Sequence, residues 1–164
     1  MSIIDSIAAE FDHEAGLSRR LLERVPEEKF DWKPHEKSMT MGRLSSHVAE
    51  VPQWLAVVME LDVFELDPAQ KSFNTASRSE LLESFDDSVK AAKEKMKGVS
   101  DEKMMGIWEM KAGGKTIVKM PRVAVLRSFI LNHMIHHRGQ LSVYLRLNDI
   151  PVPSIYGPSA DERG

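Results

Sequence analysis

His133 and His137 stand four residues apart in the segment Asn132-His133-Met134-Ile135-His136-His137-Arg138-Gly139-Gln140. The segment lies inside a long stretch of helical apolar spacing. At ~3.6 residues per turn and a rise of ~1.5 Å, two such residues share one helix face about a turn apart. Two imidazoles in that relation can grip one metal ion. The apolar positions run Leu126, Ile130, then His133 and His137, then Leu141 and Tyr144, so the shared face reads as the buried one. An unpaired polar ring in a core costs roughly 1–3 kcal/mol. A metal removes that cost, and so does a carboxylate or a backbone carbonyl; spacing does not choose among them.

A third ligand would strengthen the metal reading. His47 is the best placed, beside a stripe of Leu44, Val48 and Val51. His13 sits among charges and His35 in a polar loop, and both read as solvated. His136 lies close to the same apolar face, in line with Phe129 and Val143, and can stand in for either neighbour or support them. Structural zinc normally takes four protein ligands, whereas three leave a position for water or substrate. Nitrogen donors suit zinc, nickel, cobalt and ferrous iron alike.

A ligand histidine usually holds its other ring nitrogen on an acceptor. Glu50, one turn beyond His47, and Gln140, one turn beyond His136 and His137, fit that role; a solvated face is the plain alternative for Glu50. Arg138 can hold an acidic substrate, although a surface salt bridge suits it better. Gly139 costs a helix roughly 1 kcal/mol relative to alanine, which implies a close approach of a helix or a ligand there.

These residues need helices to position them. A first helix spans roughly Ile3 to Val25 on Ile4, Ile7, Phe11, Leu21, Leu22 and Val25, and Pro26 ends it. Thr40 caps a second, Met41 to about Leu61, in which Pro52 removes one backbone hydrogen bond and should bend the rod. Residues 62–76 read as a polar connection. Ser77 and Glu80 form a capping box for a third helix, on Leu81, Phe85, Val89, Ala92 and Met96, with Gly98 at its end. Two short alternating runs, Ile107–Lys111 and Thr116–Lys119, meet at Gly113-Gly114 and predict a β-hairpin. Pro121 suits the first turn of a fourth helix running to about Leu147. The tail from Ile150 is extended and packs along the helices. Four amphipathic helices of this length predict an all-α four-helix bundle with a short hairpin between helices three and four.

Composition narrows the field. The 164 residues fit one domain, 1–164. The net charge is −3 and no basic block stands out, which argues against nucleic acid. With no cysteine, thiolate metal sites and a cysteine nucleophile are excluded. The ten methionines fall at core spacings and read as packing. No apolar run approaches the ~18 residues of a membrane span and the N-terminus is no signal peptide, so the expected location is the cytoplasm. A Gly-rich phosphate loop, a His-Glu-x-x-His motif and a Gly-x-Ser-x-Gly elbow are all missing. Carboxylates do not cluster as in di-iron bundles.

Three stretches carry a family resemblance: residues 31–47, which include Asp31, Trp32, Pro34, Thr40 and His47; His133 to Gln140; and the closing run from Ile150 through Tyr156, Gly157 and Pro158 to Glu162. Together they resemble the DinB-like (damage-inducible) family. The resemblance implies a four-helix bundle with up-down-down-up connections. It implies a divalent metal, zinc, nickel or iron, on His47, His133 and His137, and a homodimer as in many members. Arg43 departs from the pattern, because relatives often carry an acidic residue there. The resemblance names no substrate. Some relatives are similar to transferases that use a small thiol such as mycothiol or bacillithiol, and others were labelled metal-dependent hydrolases. The expected function is therefore a metal-dependent enzyme of thiol S-transferase or hydrolase type acting on a small molecule. The competing expectation is a non-catalytic dimeric stress protein with a structural metal or none.

Overall fold

The computed structural model describes residues 1–163. It is mostly helical with one small sheet. Helix α1 spans Ile3–Leu22. Ser2 opens it with a reciprocal cap: its hydroxyl accepts from the Asp5 backbone N–H, and the Asp5 carboxylate accepts from the Ser2 backbone N–H. Helix α2 spans Met41–Glu60. Thr40 caps it by accepting from the Arg43 backbone N–H, and the helix continues across Pro52. The loop before it folds back tightly, with the Gly42 N–H donating to the Phe30 carbonyl at 2.9 Å. A Cβ at Gly42 would lie 3.0 Å from the Phe30 side chain and 3.1 Å from its carbonyl, so Phe30 would have to shift for any larger residue.

The connection after α2 is not structureless. Val63–Leu66 form strand β1, which the sequence reading missed because four half-exposed residues carry too short an alternation. Further on, the Ser46 hydroxyl accepts from the Thr75 backbone N–H and bonds the Thr75 hydroxyl, each at 3.0 Å. That pins the connection to α2 one residue from His47. Helix α3 spans Arg78–Met96. Its cap departs from a full capping box. Ser77 accepts from the Glu80 N–H, but Glu80 reaches back to the Ala76 N–H instead of that of Ser77.

A short helix α4, Asp101–Met105, precedes strands β2, Ile107–Ala112, and β3, Lys115–Pro121. Strand β1 pairs parallel to β2, with Val63 opposite Glu109, and β2 pairs antiparallel to β3 with an irregularity at Met110/Lys111. Gly113 and Gly114 make the turn at φ of 57° and 74°, a conformation glycine adopts without strain. Trp108 and Met110 point into the core, while Glu109 faces out between Lys111 and Lys119.

The last helical stretch corrects the expectation of one continuous rod. Pro121 ends β3, and helix α5, Arg122–Val125, leads into a π-helical segment, Leu126–Leu131, before helix α6, Asn132–Leu147. Each residue inserted by a wider π turn rotates the following helix by about 100° relative to an unbroken α-helix. The buried line of α6 is therefore Met134, Arg138, Leu141 and Leu145, not His133, His137 and Leu141. Arg122 holds this chain segment to the end of α2 by donating to the Val58 and Leu61 carbonyls at 3.0 and 3.1 Å, and it pairs with Asp62. A basic side chain on those terminal carbonyls satisfies acceptors that a helix end leaves open.

Two apolar clusters fill the interior. One gathers Ile7, Phe11, Leu55, Trp108, Ile130 and Met134; the other gathers Leu21, Leu22, Val48, Phe85, Leu141 and Leu145. Among the described residues no helix is long and apolar enough to cross a membrane.

Candidate metal centre

The structure brings His47 of α2 together with His133 and His137 of α6. One nitrogen from each ring lies within 4.8 Å of the others. All three rings are partly buried. The π turn is what sets the two α6 rings at the edge of the buried face, where α2 can reach them.

Each ring is held from outside. The His47 Nδ1 lies 2.5 Å from Glu50 Oε1. The His133 Nδ1 lies 3.3 Å from the Phe129 carbonyl, an acceptor supplied by the π-helical segment. The His137 Nδ1 lies 2.7 Å from Gln140 Oε1. A carboxylate and carbonyl oxygens only accept, so each Nδ1 carries the proton. The Nε2 atoms keep their lone pairs. Those of His47 and His133 face each other at 3.1 Å. Two lone pairs at that distance repel unless a proton or a cation sits between them. Burial, followed by the proximity of His47, holds His133 below the ordinary imidazole value, and burial pushes His137 down to about 4 against the pull of Gln140. The site therefore resists supplying its own proton. Nitrogens that each lie ~2.0–2.1 Å from one ion can take this separation, so the donor set fits a divalent metal.

Glu50 and Gln140 thus each stand within hydrogen-bonding distance of one ring, His47 and His137 respectively. Arg43 adds a contact 3.4 Å from the same Glu50 oxygen. His136 stands outside the trio: its ring is exposed and lies edge-on to His137 with centroids 4.9 Å apart. His13 and His35 are exposed.

Arg138 corrects the surface expectation. It is 2% exposed and points away from the histidines into α1. Its guanidinium pairs with the Glu14 carboxylate at 2.6 Å and donates to the Glu14 carbonyl and, at 2.5 Å, to the Tyr156 hydroxyl. Tyr156 donates in turn to Glu14 at 2.7 Å. Gly139 corrects another expectation. Nothing lies within 4 Å of where its side chain would be, so no close approach requires glycine there.

Beside the histidines opens a cavity of about 450 Å³, lined by His47, Glu50, Trp54, Phe64, Trp108 and His133 among others. A pocket beside the histidines is expected of a metal enzyme; its lining is not legible in the sequence, because the walls come from α2, β1, β2 and the π segment. Glu14 is a further buried residue, 5% exposed, at a position on the inner face of α1 between Phe11 and Ser18 that its polar type does not reveal.

Comparison with known proteins places this geometry. A model of the DinB family matches residues 1–163. The chain belongs to the DinB family. Two solved structures share the fold. A DinB-like protein from Bacillus cereus ATCC 10987 superposes with a TM-score of 0.72 at 19% identity, covering 93% of this chain and 97% of that one. The DinB-like protein YjoA of Bacillus subtilis gives 0.68 at 20% identity, with 89% and 96% covered. The protein YrdA of Bacillus subtilis strain 168 is 23% identical over 165 residues, 97% of this chain and 91% of its own length.

Proposed function

We propose that this DinB family member is a metal-dependent enzyme in which His47, His133 and His137 hold one divalent ion, zinc, nickel or iron, with a coordination position left open. The observation that carries the reading is the pair of Nε2 lone pairs facing at 3.1 Å while every Nδ1 is engaged elsewhere. A bound ion there supplies Lewis acidity, which activates a small thiol or water near neutral pH. The chain's own residues do the rest. Glu50 and Gln140 fix the tautomer and tilt of their rings, and the Phe129 carbonyl does the same for His133. The adjoining cavity admits a small molecule to the open side.

The reading extends to a four-helix bundle with up-down-down-up connections, to a cytoplasmic setting and to a homodimer. Val143 and Leu147, 56% and 58% exposed on α6, offer apolar surface to a second copy.

The test is a panel of small thiols with electrophiles, and of esters and amides, run on protein loaded with zinc, nickel or iron. Metal-dependent turnover that vanishes in His133→Ala is expected with one of the two sets. Stoichiometric metal without turnover on either would contradict the enzyme and favour a non-catalytic metal protein.

A further inference from the structure

The cavity beside the histidines has an uneven chemistry. Its inner wall is apolar: Trp54 and Val57 of α2, Phe64 and Leu66 of β1, Trp108 of β2 and Phe129 of the π segment. Trp54 and Phe64 meet edge to face with centroids 5.1 Å apart, forming a fixed aromatic corner. The charged groups of the lining are either committed or peripheral. Glu50 is held by His47 and Arg43, while Asp67 and Lys71 are exposed on the connection after β1. Trp108 is 1% exposed, and its indole N–H has no acceptor among the described residues. A buried donor without a partner is uncommon in a finished core.

The histidine cluster forms the polar end on the helix side, and the exposed Gln53, Gln70 and Ser72 line the outer rim. A charge placed against the aromatic wall would lose its hydration with no counter-ion to meet it. An apolar group would exchange water for aromatic contacts. A volume of about 450 Å³ falls within the ordinary range of small-molecule pockets.

We infer that the substrate carries an apolar, aromatic-sized body that fills this cavity against Trp54 and Phe64, and a single polar reacting group that lies at the three histidines. Trp54 and Phe64 then decide which substrates enter, and the metal decides what happens to them. This inference rests on the proposed metal site.

Two hydroxamates that share a metal-binding head separate the claims. Cobalt-loaded protein is titrated with acetohydroxamate and with 2-naphthohydroxamate, following the visible cobalt spectrum and the heat of binding. Both are expected to perturb the spectrum. The naphthyl compound is expected to bind roughly 30- to 100-fold tighter, as its buried apolar area implies. Trp54→Ala and Phe64→Ala should each cut that ratio by about tenfold. Equal affinities in the wild-type protein, a ratio needing no variant, would overturn the inference and leave the metal site standing. A ratio that survives both substitutions would overturn it as well. An unchanged cobalt spectrum with acetohydroxamate would instead overturn the metal reading and the inference with it.

Discussion

Arg138 and His137 are neighbours in sequence and belong to opposite kinds of polar cluster. Arg138 faces inward and its partners are complete: the Glu14 carboxylate, the Glu14 carbonyl and the Tyr156 hydroxyl. On both helices the pair falls between the two apolar clusters, after Phe11 and before Leu21 on α1, after Met134 and before Leu141 on α6. His137 and its companions face the other way, and their partners are complete only on the outer side. Their inner nitrogens meet one another. The first cluster is closed chemistry, which holds helices together. The second has the donor set that a cation would complete, and a cavity leads up to it. A polar residue in a helical core is structural when its valences close within the chain and functional when they do not.

The sharpest way to break this contrast is Arg138→Ala. It leaves the Glu14 carboxylate buried without its counter-ion, and a loss of about 3–5 kcal/mol in urea unfolding is expected. A loss under about 1 kcal/mol would show that the pair is not a structural clamp.

Acid should act on the other cluster. In the metal-free protein His137 titrates at about 4 rather than near its ordinary value of 6.5. The unfolded chain therefore takes up that proton first, so stability is intact above about pH 6.5 and falls as pH drops toward 4. The slope should shrink in His137→Gln. An unchanged slope would mean that His137 is not held neutral by the fold.

Glu50→Ala tests the outer supports. It should weaken metal binding by roughly 10- to 100-fold, measured by competition with a chelating dye, with helical circular dichroism unchanged. Unaltered affinity would remove Glu50 from the site. The smallest effect is expected at Gly139, where the open surroundings mean that Gly139→Ala raises stability by about 0.5–1 kcal/mol. Destabilisation there would point to a contact made only in an assembly.

Much of this was legible in the sequence. The helix caps at Thr40 and Ser77, the two-glycine turn and the pairing of His133 with His137 follow from local chemistry and spacing, whereas His47 is a candidate by its stripe and joins the pair through the family resemblance. The burial of Arg138 did not, because a regular 3.6-residue count carried across residues 126–131 assigns its place to His137. The adjacent apolar pair Ile130-Leu131 marks the extra residue, yet a stripe reading takes one of the two and passes over the other. A pocket beside the metal is expected of a metal enzyme, but its lining was beyond reach for a different reason. Trp54, Phe64 and Trp108 come from elements separated by long stretches of chain, and no local pattern records which side chains a three-stranded sheet brings against a helix.

Three imidazoles with engaged Nδ1 atoms are proposed to hold one metal ion. Elemental analysis of protein purified without a nickel column, wild type beside His133→Ala, tests that proposal most directly. Close to one equivalent of a divalent metal is expected in the wild type and none in the variant, with the same helical content in both. No metal in either, and none taken up on titration, would contradict it.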